Sequence, residues 1–202
     1  MNAEELIQPE ATAQDAGEAV VAPDRHWYVA NVGQNREKSS RDKLLGLGYE
    51  AFVASQNELH YWNNGRRKMV DTVKITTKVF VHVTEQERRH IVNFPFIKSF
   101  MVNRAASLTP TGMHPLAIIP DHQMELLKFM LFKSEKPVHF VETPLAKGDR
   151  VRVIRGPLQG FEGEVVRLYG SDAQFVGVNI GFLGCALTEI PLDDVVRTLD
   201  LS

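Results

Sequence analysis

The C-terminal third of the chain is cut into short β-branched runs by glycines at 156, 160, 163, 170, 177, 181 and 184. Each glycine disfavours a helix by roughly 1 kcal/mol against alanine, so no helix is expected to persist there. Five runs fit short strands: RVRVI, GEVVRLY, QFVGVNI, CALTEI and DVVRTL. Turn residues separate them at intervals of about 8–12 residues, the spacing of a small barrel or sandwich. A stable β domain, barrel or sandwich, with no helical alternative follows as the expectation.

The same glycines raise the question of a phosphate-cradling loop. A Walker loop needs Lys directly after its second glycine, and here Phe161 follows Gly160. A dinucleotide fingerprint needs a helix after the glycines, whereas GEVVRLY reads as strand. The glycines are better explained as tight turns, with Pro157 suited to the second turn position.

Upstream, apolar runs alternate with charged helical patterns. WYVANV reads as strand, REKSSRDKLLGLG as helix, and YEAFVAS as strand. ELHYW and RKMVDTVKI flank Asn63-Asn64-Gly65, and Asn-Gly is a strong hairpin signal because both residues tolerate φ > 0. KVFVHV is a further strand. In TEQERRHIVNF, Thr84 and Glu87 have capping-box spacing. IKSFMVN and LAIIP read as strands. Asp121 is then expected to cap HQMELLKFMLF, with apolar positions at 124, 127, 130 and 131. This order predicts an α+β domain on a mainly antiparallel sheet.

Four segments are expected: an acidic, disordered tail over 1–24, an α+β domain over 25–132, a linker over 133–142, and a β domain over 143–202. The overall charge of −2 hides an asymmetry. Residues 1–24 carry six acids and no base. Residues 25–132 carry fifteen Lys and Arg against nine Asp and Glu, a net +6. A basic middle segment points toward a polyanion, with an ordinary solvated face as the bland alternative. The tail is expected to mask that segment.

No apolar run approaches the ~18 residues of a membrane helix, and MNAEELIQPE lacks the basic start of a secretory signal. With the single Cys185, a cytoplasmic location is expected. The histidines form no HExxH, Cys185 has no CxxC partner, and there is no GxSxG. No enzyme activity, cofactor or metal site is expected.

KGDRVRVIRGPLQGFEGEVVRL resembles a KOW motif, as found in NusG-type transcription elongation factors and some ribosomal proteins. WYVANVGQNREKSSRDKLLGLGYEAFV, KVFVHV and PLAIIPDHQMELL resemble successive parts of a NusG N-terminal (NGN) domain. Together they cover about residues 26–200. ELHYWNNGRRK, KVFVHVTEQER and IIPDHQMELLKFML are similar to the UpxY group, antiterminators of polysaccharide-synthesis operons. The chain departs from the family at Thr76-Thr77-Lys78, which stands where a Pro-Gly-Tyr-like segment is usual.

The resemblance implies an NGN-like antiparallel sheet flanked by helices, followed by an SH3-like five-stranded KOW barrel. It implies docking on the RNA polymerase clamp through Phe52, Ile75, Lys78 and Phe80, with Arg88, Arg89 and His90 toward the opposite jaw. For Ile75 and Phe80 the alternative is plain core. Arg36, Lys38, Arg41 and Lys43, with Arg66, Arg67 and Lys68 at the hairpin tip, are candidates for non-template or upstream DNA. Tyr61 and Trp62 are candidates for base stacking or for cross-strand packing. Phe161 is either barrel core or a contact for ribosomal protein S10 or Rho. A monomer is expected. The rival reading is a ribosome-associated or RNA-binding KOW protein without polymerase affinity.

Overall fold

The computed structural model describes residues 24–62, 65–142, 148–167 and 173–198. The tail over 1–24, apart from Asp24, lies outside the described residues, and so do Asn63, Asn64 and Gly170.

The first domain is built on a sheet of order β2-β5-β1-β6, in which every pairing is antiparallel. Its strands are β1 (His26–Asn31), β2 (Glu50–Phe52), β5 (Lys78–Val83) and β6 (Ser99–Phe100). A further short strand, β7 (Ile118–Ile119), also pairs with β1. Side chains alternate across a strand, and both faces of β1 and β5 are covered, which explains their uninterrupted apolar sequence. Tyr28, Ala30, Val79, Val81 and Val83 pack with Leu44 of α1 (Glu37–Gly46) and Ile91 of α2 (Glu85–Ile91). Trp27, Val29 and Phe80 pack beneath α3 (Asp121–Lys133), which contributes Met124, Leu127, Met130 and Leu131. Those four are the apolar positions expected from helical periodicity.

Helix α2 begins with the expected capping box. Glu87 N–H donates to Thr84 Oγ1 at 3.2 Å, and Thr84 N–H donates to Glu87 Oε2 at 2.8 Å. Helix α3 departs from expectation. Asp121 is its first residue, the cap position belongs to Pro120, and no side chain caps the helix. Before β5, Thr77 adopts φ 60, a left-handed conformation unfavourable for a β-branched residue. Its N–H donates at 2.6 Å to the carboxylate of Glu37, which is only 3% exposed. The buried acid on α1 thus holds the strained turn from which β5 starts.

The hairpin β3 (Ser55–Tyr61) and β4 (Arg67–Val73) forms a sheet of its own, in register from Ser55↔Val73 to Tyr61↔Arg67. At its base Gln56 is buried and Ser55, Thr72 and Val73 half-buried, while its outer half is exposed. Lys38 of α1 pairs with Asp71 at 2.7 Å, and Lys74 pairs with Glu58 at 2.6 Å.

The second domain is an antiparallel sheet of order β13-β9-β10-β11-β12-β8. The five expected strands are β9 (Arg150–Val153), β10 (Glu162–Arg167), β11 (Gln174–Asn179), β12 (Cys185–Glu189) and β13 (Val195–Arg197). The sixth, β8 (Val138–Val141), comes from the segment expected to link the domains and pairs with β12. The linker over 133–142 is therefore corrected: Lys133 closes α3, and residues 134–137 alone connect the helix to a strand. The sequence KSEKPVHFVET hid this because its Val138-His139-Phe140-Val141 core is short and follows Pro137.

That connection is fastened to both domains. Gln56, 4% exposed, donates Nε2 to the carbonyls of Ser134 (3.1 Å) and Lys136 (3.0 Å), and its Oε1 accepts from Val138 N–H at 2.8 Å. Ser134 Oγ lies 2.8 Å from Thr188 Oγ1 on β12. One apolar core runs from Val29 and Phe80 through α3 to Val151, Phe161 and Val176.

Gln56→Leu is expected to leave the Ser134 carbonyl and the Val138 N–H without their side-chain partner, costing about 2–4 kcal/mol. Chemical denaturation of the two proteins reads this directly, and an unchanged midpoint would remove Gln56 from this role. A second expectation concerns acid. The Arg88 guanidinium hydrogen-bonded to Glu85 holds that carboxyl down at about 2, against an ordinary 4.5. A depressed folded value gives stability that is present above 4.5 and lost as pH falls toward about 2. Glu85→Gln should therefore shrink the drop in Tm across that window, and a wild-type-sized drop in the variant would contradict the assignment.

Candidate functional site

The residues implied for polymerase docking fall into two groups. Ile75 and Phe80 are 5% and 0% exposed and belong to the core under α3. This is the plain-core alternative for both, and neither side chain is open at the surface here. Phe52, on the edge strand β2, and Lys78, the first residue of β5, are half-buried. The Phe52 ring lies 6.1 Å from that of Phe80, and Lys78 Nζ donates to Thr77 Oγ1 at 3.1 Å.

Beside Phe52 the fold assembles a cluster that sequence reasoning missed. His82 stacks on Trp27 with ring centroids 4.8 Å apart, and its Nδ1 lies 2.7 Å from Glu50 Oε2. Lys128 of α3 places Nζ 4.1 Å from the centre of the Trp27 ring and 5.6 Å from that of Phe52. The same ammonium is 3.7 Å from Glu50. The register Trp27↔His82 and Glu50↔His82 creates the group, and no local motif announces it.

On α2, Arg88 is engaged with Glu85 at 2.7 and 2.8 Å and lies over the Phe100 ring at 5.4 Å. Its side chain is inward and structural. Arg89 is 74% exposed in its side chain, with Nε 3.0 Å from Glu85, and His90 is exposed against Phe94. Only these two of the three present themselves to a partner.

The four α1 cations also divide. Arg36 is exposed. Lys38 is held by Asp71, Arg41 by Asp42 at 2.7 Å, and Lys43 sits over Phe96 at 5.1 Å. At the hairpin tip Arg66, Arg67 and Lys68 are exposed, as are Tyr61 at 71% and Trp62 at 47%. Trp62 N–H donates to the Arg66 carbonyl at 2.9 Å, which continues the ladder to the end of the hairpin.

Phe161 is 2% exposed, and its ring stacks on Phe129 of α3 at 6.2 Å and 19°. In this arrangement it is core shared by the two domains, the first of the two alternatives read from the sequence. Nearby, Gly181 N–H donates to Gln123 Oε1 at 2.7 Å. Burial pushes the Cys185 thiol up to about 12, so it stays protonated and a poor nucleophile. Among the described residues no group of three or more His, Cys, Asp or Glu is placed to hold a metal ion. No helix among them is long and apolar enough to cross a membrane.

No curated protein matches the chain. Among solved structures, a Thermotoga maritima NusG described as showing domain interaction aligns at 16% identity with a TM-score of 0.43, covering 87% of this chain and 98% of that one. The MjSpt4:Spt5 complex in conformation A aligns at 12% identity with a TM-score of 0.26, covering 85% and 97%. Its conformation B gives 13%, 0.28, 85% and 96%. Residues 147–177, which span β9, β10 and most of β11, match the KOW motif family.

Proposed function

We propose that this chain is a NusG-like transcription elongation factor. The observation that carries the reading is a KOW motif over 147–177 placed behind an antiparallel α+β domain. A ribosomal KOW protein has no need of such a domain, whereas it matches the resemblance to NGN in element order. In this reading the first domain is NGN-like, the second is an SH3-like KOW barrel enlarged by β8, and the protein acts by binding.

The first domain docks on the RNA polymerase clamp. With Ile75 and Phe80 in the core, contact falls to Phe52 on the edge strand β2, beside Lys128, and to Lys78 at the start of β5. An apolar edge ringed by charge suits the tip of a partner helix, with Lys78 contributing steering. Arg89 and His90 face the opposite jaw. A factor that binds the closed, active clamp better than the opened one shifts the population toward elongation without catalysis. Arg36 and the hairpin cations approach non-template or upstream DNA through phosphate contacts. Contact of S10 or Rho with Phe161 requires Phe129 to withdraw from it. The finer reading, antitermination at polysaccharide-synthesis operons, rests on the similarity to the UpxY group.

The test is binding of the full chain to purified core RNA polymerase and, separately, to ribosomal subunits. Polymerase binding weakened about tenfold by Lys78→Glu, with the Tm unchanged, is the expected result. Binding to ribosomal subunits but not to polymerase would replace this reading with the ribosomal one.

A further inference from the structure

Strands β10 and β11 part before either of them ends. Glu164↔Gly177 is the last pair between them. Beyond it Glu162 and Gly163 stay paired with β9, while Val178 and Asn179 stay paired with β12. A hollow of about 600 Å³ lies where they separate, and His122 and Leu126 of α3 complete its wall. Small-molecule sites have this size and this mixture of apolar wall and few polar groups.

Two acceptors on the wall are left unanswered. Glu164 Oε2 and Asn179 Oδ1 are buried, and neither has a hydrogen-bond partner among the described residues. The ladder brings them together. Gly177 stands opposite Glu164 and has no side chain, and Asn179, two residues on, faces the same side of the sheet. Glu164 and Asn179 are therefore diagonal neighbours across a bare glycine. The nearby arginines donate to neither oxygen. Arg152 is bound to Glu162, with Nε at 2.8 Å, and Arg150, opposite Glu164 on β9, has an interaction of its own. The Glu164 charge is felt inside the domain: after burial itself, it is the next cause that raises the buried Cys185 thiol. A carboxylate oxygen shut from water without a donor is costly. Both side chains end in soft torsions, so each oxygen turns toward a donor in the hollow with little strain.

We infer that this hollow binds a small aliphatic ammonium compound, whose charged amine donates to Glu164 and Asn179 while its methylenes lie along Leu126 and Val178. An ammonium brings three donors and the charge opposite to that of Glu164, so one group satisfies both orphaned oxygens. A metal ion is a poorer match, because among the described residues no group of three or more His, Cys, Asp or Glu is placed to hold one. The inference goes beyond the elongation-factor reading and does not rest on it.

The full chain is titrated by calorimetry with butylamine, putrescine, tetramethylammonium and, separately, Mg²⁺, each up to about 10 mM at fixed ionic strength. Butylamine and putrescine are expected to bind and to raise the Tm. Tetramethylammonium has the same charge but no N–H, and should bind at least about tenfold more weakly than butylamine. Glu164→Gln keeps the shape and should weaken amine binding about tenfold or more. Asn179→Asp adds a second carboxylate and should tighten it about threefold or more. Glu135→Gln, an equal loss of charge at an exposed residue outside the hollow, should leave it unchanged. Equal affinity for all the cations would overturn the inference, as would a folded Glu164→Gln that binds like the wild type or an Asn179→Asp that gains nothing. Neither heat nor a Tm shift with any amine would overturn it too, and the hollow would then be a plain packing gap. Binding of Mg²⁺ alone, lost in Glu164→Gln, would replace the ammonium site with a metal site.

Discussion

Helix α3 is the constraint on which the rest of the structure depends. Met124, Leu127 and Met130 close one face of the first sheet over Phe80 and Val29, while Phe129 reaches across to Phe161. One helix therefore finishes one domain and docks the other. Burying side chains of this size contributes roughly 1.5–3 kcal/mol each, and the gain is shared, so neither sheet keeps its packing if α3 moves. The short connection after it, clamped by Gln56 and Ser134, extends the same constraint from packing to hydrogen bonding.

This sharing changes which residues have chemistry left to offer. Phe80, Ile75 and Phe161 are the large apolar groups that a sequence comparison offers first to partners, and all three are consumed internally. Charged residues are similarly divided. Arg88, Lys38 and Arg41 have carboxylate partners and are partly covered, whereas Arg36, Arg67 and Lys68 stand at the surface, as does Arg89 although it too pairs with Glu85. Among the described residues the hairpin tip is thus both cationic and aromatic at the surface.

Local signals were legible in the sequence. The capping box at Thr84 and Glu87, the hairpin around Asn64-Gly65, the helical stripe of α3 and the five glycine-bounded strands each rest on rules that act within about ten residues. What escaped is nonlocal. β8 looks like linker until β12 supplies its ladder, and Pro120 occupies the position expected for Asp121 because capping preference yields to the tight turn out of β7. The Trp27–His82–Glu50–Lys128 cluster exists only through strand register and the approach of α3. Whether Phe161 points inward or outward was likewise undecidable without Phe129.

The place of β8 has a practical consequence for dividing the molecule. A cut at residue 142 or 143, which the sequence invites, would leave Val138–Val141 attached to the wrong piece and strip β12 of its neighbour. The exposed edge would carry the buried run Cys185-Ala186-Leu187-Thr188. Such an edge is a template for association with other chains. Insolubility of a C-terminal fragment begun there would report a severed sheet and say nothing about the intrinsic foldability of the domain.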